Sequence, residues 1–267
     1  MEPTQVEKIN TKWTLEGLVS AFYEACINAN LGIPSPEALA TLAAQSTIEC
    51  GHGGPGCWNY NVSNIMGVSP EGLYHVLKAP ECAKPENVPK GATVLSSTNV
   101  ACPPGHVAYI PPGGSKFRAY SSLANGCTDK IETLKRIWPV AIKSLIAPGN
   151  ITMVSHSYVD GLVTPRYFTS DIPTYKSTVS SIAEGFLDEA RVIVNNGGQV
   201  PEIWIKDHKD IVSWQRALIK LGYDIGDADG VVGPKTTQAV KDFQTKSGLV
   251  SDGKVGPKTI EALNKAL

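Results

Sequence analysis

Apolar residues recur at helical spacing in two stretches near the start of the chain. The first stretch predicts a helix from a capping Thr14 to about Asn30, with one apolar face made of Leu15, Leu18, Phe22 and Cys26. The second begins at Ser35-Pro36-Glu37, a cap, a proline and an early acid, which is a typical helix start. It continues through a mostly apolar run to Glu49, where glycines follow and predict a stop.

A repeated segment marks the last third of the chain. Asp229–Thr236 reads DGVVGPKT, and Asp252–Thr259 reads DGKVGPKT 23 residues later. Each copy leads into an apolar helical pattern, with Pro234 and Pro257 at the first helical position. A third helical pattern precedes them, and a turn-rich stretch, VNNGGQVP, comes before that. We therefore predict a first domain at 1–195, a linker at 196–206 and a small three-helix domain at 207–267.

Composition limits the class of protein. The chain has 267 residues, of which 42% are hydrophobic and 18% charged, so it can form a packed core. With 24 Lys+Arg and 25 Asp+Glu its net charge is −1, which argues against a nucleic-acid partner. No apolar run approaches the roughly 18 residues of a membrane span, and the first ten residues lack the features of a signal peptide. We expect a monomer that is made in the cytoplasm and does not insert into membranes.

The cysteines all lie in the first half of the chain and form no C-x-x-C pair, which argues against a zinc ribbon; they are Cys26, Cys50, Cys57, Cys82, Cys102 and Cys127. Their even number suits disulfides. Disulfides persist only in oxidising compartments, however, and the cytoplasm, where we expect the protein to be made, is not one of them. Bridges and buried free thiols therefore both stay open at this point.

The C-terminal segment closely resembles the three-helix type of peptidoglycan-binding domain. The resemblance covers about Asp207–Leu267 and rests on a dense set of matches, among them Trp214-Gln215, Leu221-Gly222-Tyr223, Asp229-Gly230, Phe243-Gln244, Gly248-Leu249, Asp252-Gly253 and Leu263. It implies a bacterial cell-wall anchor whose partner is peptidoglycan. It also implies a groove near Tyr223 and Asp229 that holds a glycan or a stem peptide.

Glu49 has the position of a catalytic acid. Burial and the negative end of a helix both raise the pKa of a carboxyl group, and a glycosidase needs a carboxyl that stays protonated near neutral pH. Trp58, Asn61 and Asn64 follow closely, and aromatic and amide side chains suit sugar rings. The alternative is an ordinary exposed glutamate in a last helical turn.

Four blocks in order resemble the lysozyme-like glucosaminidases of glycoside hydrolase family 73. AAQSTIECGHG resembles the family's catalytic AQAALESGWG, and Asn64–Gly67 resembles its NLFG. Phe117–Ser122 resembles its F-R-x-Y-x-S, and Tyr167–Tyr175, YFTSDIPTY, resembles its YATDPNY with one residue added. Together the blocks cover roughly Leu39–Phe186.

The resemblance implies a mainly α, lysozyme-like catalytic domain with a small β-lobe near Pro80–Lys116. Glu49 is then the general acid and Tyr167 lies in its cleft, and the substrate-binding residues are Trp58, Asn61, Asn64, Met66 and Tyr120. The family's lobe often carries a second carboxylate, for which the candidates are Glu71, Glu81 and Glu86. Short strands are expected there at Val94-Leu95 and His106–Ile110. Cys82 and Cys102 could close the lobe, and Cys50, which stands where the family has serine, could bridge to Cys57.

The expected activity is cleavage of the glycan strand of peptidoglycan, without cofactor or metal, by hydrolysis after N-acetylglucosamine. A muramidase or a lytic transglycosylase on the same fold is the alternative. A wall hydrolase without a signal peptide resembles a phage endolysin, stored in the cytoplasm until it is released to the wall. The alternative is a phage tail enzyme or a bacterial enzyme that is exported by another route. Three further hypotheses are a peptidase, an amidase and a protein that only binds the wall. The sequence argues against a peptidase or an amidase, because the five histidines form no H-E-x-x-H motif and no cysteine–histidine motif is present.

Overall fold

The computed structural model describes residues 2–50, 57–96, 102, 104–164 and 171–267. Within them the chain is mainly α-helical, as predicted, and it divides into two compact units, Met1–Val200 and Pro201–Leu267. The described helices of the first unit are α1 (Leu15–Asn28), α2 (Pro36–Glu49), α3 (Leu123–Ile137), α4 (Pro139–Ile146), α5 (Ile151–Gly161), α6 (Ile172–Gly185) and α7 (Leu187–Asn195).

The first two helices begin where the sequence predicts. The Thr14 hydroxyl accepts a hydrogen bond from the backbone N–H of Gly17, and the Ser35 hydroxyl accepts one from that of Ala38. Such caps satisfy N–H groups that have no partner inside the helix. Both predicted starts are thereby confirmed, and α2 ends at Glu49, as expected.

Helix α2 is the centre of the first unit. It packs against α1, α5, α6 and α7, and its residues from Ala38 to Thr47 are all buried. A helix that is enclosed on every side needs small and apolar residues all round, which explains the low amphipathicity of ALATLAAQST. Its two ends approach the surface: Pro36 and Glu37 are partly exposed at the start, and Ile48 and Glu49 at the end.

Two three-stranded sheets form the β-lobe among the residues that the structure describes. In the first, β1 (Thr4–Gln5) runs parallel to β2 (Leu73–Leu77), which pairs antiparallel with β6 (Ser115–Arg118). In the second, β5 (Val107–Ile110) lies between β3 (Glu81–Ala83) and β4 (Thr93–Val94), antiparallel to both, and a short 3₁₀ helix covers Pro85–Asn87.

The lobe was only partly predictable. The two expected strands are present as β4 and β5, each within one residue of the expected position. The other strands have two to five residues, too few for an alternating pattern to stand out. A disulfide joins Cys82 to Cys102, so the sulfur bridge that could close the lobe is present. Cys26, Cys50, Cys57 and Cys127 are buried free thiols.

The second unit holds α8 (Ile211–Lys220), α9 (Pro234–Lys246) and α10 (Pro257–Ala266). Pro234 and Pro257 are the first residues of their helices, as predicted. Trp214, Leu218, Val240, Phe243 and Leu263 form its core. Ile205, from the stretch expected as a linker, is also buried there, because the Asn264 side chain bonds both its N–H (2.9 Å) and its carbonyl (2.8 Å).

Candidate active site

Glu49 lies at the C-terminal end of α2 with its carboxyl group bound to a tyrosine from another helix. The Tyr175 hydroxyl, on α6, donates a hydrogen bond of 2.7 Å to Glu49 Oε1. Tyr175 is only 5% exposed, so this donor is fixed by the packing of α6 against α2. The carboxyl is thus oriented by the core and still reaches the partly exposed end of the helix.

Burial raises the pKa of Glu49 above its ordinary value of 4.5. Two opposing effects are smaller: the hydrogen bond from Tyr175 and the positive charge of Lys130 both favour the carboxylate. Burial penalises the charged form because the carboxylate loses its hydration. The position expected from the sequence, an acid with a raised pKa at the end of an apolar helix, is therefore present.

A second buried tyrosine supports the turn below Glu49. The Tyr158 hydroxyl, on α5, donates a short hydrogen bond to the side-chain oxygen of Gln45, one turn earlier on α2. Burial and the nearby charge of Glu49 raise the pKa of both Tyr158 and Tyr175. Both hydroxyls therefore keep their protons at neutral pH and remain hydrogen-bond donors.

The loop at 57–66 lies against the end of α2. The Cys50 thiol, immediately after Glu49, donates to the backbone carbonyl of Asn61 at 3.4 Å. Cys57 faces the same thiol, and its interaction with Cys50 lowers the pKa of the Cys57 thiol. The structure thus has two contacting thiols where the sequence left a bridge or free thiols open.

The backbone of this loop is unusual. Asn59, Tyr60 and Asn64 all have φ between 51° and 55°, a left-handed conformation that is uncommon for a residue with a side chain. The segment before α1 braces it: the Thr11 hydroxyl accepts from the N–H of Tyr60 at 2.9 Å. Helix α3 also approaches closely, since a Cβ at Gly126 would lie 2.1 Å from the Tyr60 carbonyl oxygen.

The predicted substrate-binding residues of this loop differ in exposure and in contacts. Asn61 is buried, and its amide closes a turn by bonding both backbone groups of Ile65 (2.8 and 2.9 Å), which is a structural role. Asn64 and Met66 are exposed and free to meet a ligand. Trp58 is half-buried, with the Lys8 ammonium 4.2 Å from its ring centroid.

Tyr120, predicted to line the cleft, is buried in the fold. Its hydroxyl donates to Asp129 at 2.6 Å, and the same carboxylate forms an ion pair with Arg118. The hydroxyl is therefore occupied within the protein. Tyr167, the other predicted tyrosine, lies outside the described residues.

Two of the three candidate second carboxylates have hydrogen-bond partners in and beside the β-lobe. Glu71 accepts from the N–H and the hydroxyl of Ser121. Glu81 accepts from the Tyr109 hydroxyl at 3.0 Å, and Glu86 is exposed on the 3₁₀ helix. In the part of the chain that the structure describes, no contact recorded for these three groups involves Glu49.

Tyr175 and Lys130 are the site residues that the sequence reasoning missed. Tyr175 is the last residue of the block YFTSDIPTY, so a signal for it exists in the sequence, but the family resemblance singles out Tyr167 at the other end of that block. Lys130 stands in a helix with no recognisable motif, and no pattern marks it as buried.

No group of three or more His, Cys, Asp or Glu side chains is placed to hold a metal ion among the described residues. None of the described helices is both long and apolar enough to cross a membrane.

Two equivalent turns organise the second unit. Gln215 bonds Asp229, the N–H of Gly230 (2.8 Å) and the carbonyl of Val231 (2.9 Å). Gln244 makes the same set with the second copy of the repeat, at Asp252, Gly253 and Lys254. The repeated DG segment is thus a turn held by a buried glutamine.

The residues predicted near the groove of this unit have clear structural contacts. Asp229 accepts from the N–H of Val231 and from Gln215, and these bonds lower the pKa of its carboxyl. Tyr223 packs edge-on against Phe243, with ring centroids 6.2 Å apart, and is partly exposed. Tyr223 therefore has a free ring surface, whereas Asp229 is engaged in its turn.

A family model matches the second unit. Residues 207–263 match the family model of the peptidoglycan-binding domain. Comparisons with curated proteins and with solved structures gave no match. The chain therefore carries a peptidoglycan-binding domain in its second unit, which supports peptidoglycan as its partner.

Proposed function

We propose that the first unit cuts the glycan strand of bacterial peptidoglycan and that the peptidoglycan-binding domain holds it on the wall. The observation that carries this proposal is the state of Glu49, a carboxyl with a raised pKa, oriented by Tyr175 at the partly exposed end of a buried helix. A glycosidase needs such a group to protonate the oxygen of the leaving sugar. Perturbed carboxyls of this kind occur preferentially at functional sites.

Three further features support the proposal. The loop beside α2 holds three residues in left-handed conformation, a form of strain that concentrates at functional sites. It presents Asn64 and Met66 to solvent close to the end of α2. The Cys82–Cys102 disulfide suits a protein that acts outside the cytosol, where disulfides persist.

The proposed reaction begins with the transfer of the Glu49 proton. Glu49 gives its proton to the glycosidic oxygen as the bond from that oxygen to C1 breaks, and the leaving sugar departs as an alcohol. Positive charge develops on the remaining sugar. An attacking hydroxyl forms the new bond to C1, and its proton returns to the Glu49 carboxylate. Tyr175 holds the carboxyl in place through both states.

The source of the attacking hydroxyl separates two candidate reactions. With water the reaction is hydrolysis, which the resemblance to the glucosaminidases favours at the bond after N-acetylglucosamine. With the substrate's own 6-hydroxyl it is lytic transglycosylation, which needs only one acid. The hydrogen bonds of Glu71 and Glu81 within the protein favour keeping this second candidate.

Product analysis tests the proposal. Purified peptidoglycan is digested, reduced with borohydride and examined by mass spectrometry. We expect cut glycan strands: reduced N-acetylglucosamine ends for a glucosaminidase, reduced N-acetylmuramic acid ends for a muramidase and anhydro-sugars for a transglycosylase. Chelator and thiol blocker should leave the digestion unchanged. Products cut only in the stem peptide, or no products, would contradict the proposal.

A further inference from the structure

A lysine is buried directly beneath the helix that carries Glu49. Lys130, on α3, is only 1% exposed. Its ammonium donates to the Ser46 hydroxyl at 2.8 Å and to the Leu42 carbonyl at 3.4 Å, both on α2. It also lies 5.2 Å from the centroid of the Phe22 ring on α1. The charge is therefore held by three helices and has no route to substrate.

An ammonium in such a place needs an opposite charge, because a lone buried charge is strongly unfavourable. Burial lowers the pKa of Lys130 to about 8, and the largest effect opposing this shift is the charge of Glu49. Glu49 follows Ser46 by three residues, about one helical turn. The two buried ionisable groups thus act on each other through the last turn of α2.

We propose that Lys130 is a positioning residue whose buried ammonium is the counter-charge for the carboxylate left when Glu49 gives up its proton. The catalytic role of Lys130 rests on the proposed function, whereas the electrostatic coupling between Lys130 and Glu49 does not. When Glu49 gives its proton to the glycosidic oxygen, the carboxylate that remains is poorly solvated because it is largely buried. A fixed positive charge stabilises that product without contacting the sugar, and so strengthens the acid.

The other ionisable groups facing Glu49 cannot supply this charge. Tyr158 on α5 and Tyr175 on α6 are neutral at neutral pH because burial raises the pKa of both. Cys50 and Cys57 yield a neutral thiol or an anion. Of the groups recorded around this carboxyl, Lys130 is the one that is positively charged.

The direct test is Lys130→Met, which keeps an unbranched side chain of similar length and removes the charge. Removing one partner of a buried charge pair costs stability, but Glu49 avoids an unpaired charge wherever it keeps its proton. The matched control is Lys135→Met on the same helix, whose ammonium bonds the Ala29 carbonyl and Glu132. The pKa of Glu49 is read by NMR from ¹³C-labelled glutamate carboxyls, in the full chain and without substrate.

Loss of an opposite charge should raise the pKa of Glu49 by roughly one unit or more, a tenfold change in its ionisation constant. Lys135→Met should leave it in place. In turnover of peptidoglycan, the loss of rate at alkaline pH should move to higher pH in Lys130→Met, and the maximal rate should fall. A residue that only packs would lower the rate without moving the pH profile.

A reciprocal experiment covers the case in which Lys130→Met fails to fold. Coupling between two sites acts equally in both directions. Glu49→Gln should therefore lower the pKa of Lys130 below its value of about 8, read by NMR from its labelled side chain. If the Lys130 pKa is unchanged in Glu49→Gln, or the Glu49 pKa is unchanged in Lys130→Met, the inference is wrong. If the pKa values move but no glycan is cut, the coupling stands and the proposed function fails.

Discussion

Replacing Tyr175 by phenylalanine tests the geometry of the candidate site. The change removes the hydroxyl that donates to Glu49 Oε1 at 2.7 Å and keeps the ring that is buried between α6 and α2. Because the lost hydrogen bond favours the carboxylate, its removal should raise the pKa of Glu49 further above 4.5.

The size of the effect follows from the type of bond. A hydrogen bond to a charged group contributes about 1.5–3 kcal/mol, and one pKa unit corresponds to about 1.36 kcal/mol. Tyr175→Phe should therefore raise the pKa of Glu49 by roughly 1–2 units, provided that no other donor replaces the hydroxyl. Turnover should fall less than in a variant without the acid, because the transferable proton is still present.

The assay is the rate of peptidoglycan solubilisation as a function of pH, with a melting curve for each variant. Tyr109→Phe is the matched control, since it removes a similar hydrogen bond, 3.0 Å long, to Glu81 in the β-lobe. We expect the loss of rate at high pH to shift upward in Tyr175→Phe and to stay in place in Tyr109→Phe. An unchanged profile in Tyr175→Phe, with the fold intact, would show that this bond does not tune the acid.

Two further predictions concern stability. The folded protein holds the Glu49 proton more tightly than the unfolded chain does, so the wild-type protein loses stability as pH rises above 4.5. Glu49→Gln has no such proton and should therefore gain stability relative to wild type from pH 4.5 towards 7. At lower pH the melting temperatures of the two proteins should match. Gln244→Ala should destabilise the second unit by about 1–3 kcal/mol, because it removes the buried side chain that holds the second turn through three hydrogen bonds. The calorimetric transition temperature of this unit should fall, whereas Gln238→Ala, an exposed change on the same helix, should leave it unchanged.

Local signals explain how much of the fold could be predicted. Thr14, Ser35, Pro234 and Pro257 mark helix starts through bonds or backbone angles that involve only their near neighbours. The repeated DG segment likewise predicts a turn. The small sheets were harder to predict, because β1 pairs with β2 across nearly seventy residues of chain. Nothing in the sequence of either strand indicates its partner.

The candidate site shows the same limit. The position of Glu49 at the end of an apolar helix was predictable, since glycines begin two residues after it. Tyr175 bonds it across 126 residues and Lys130 bonds Ser46 across 84, so their roles depend on the packing of helices rather than on local pattern. Tyr120 was misjudged for a related reason: its motif fits an exposed aromatic, but its hydroxyl meets Asp129 from α3.

Turnover of purified peptidoglycan by Glu49→Gln tests the central claim most directly. The matched control is Glu37→Gln, the same chemical change in the first turn of the same helix. General acid catalysis contributes roughly 10²–10⁴-fold, so Glu49→Gln should lose at least that factor while it stays folded and still binds to walls. Glu37→Gln should retain activity. Near wild-type turnover in a folded Glu49→Gln would contradict the account, because Glu49 would then be only the last residue of a buried helix.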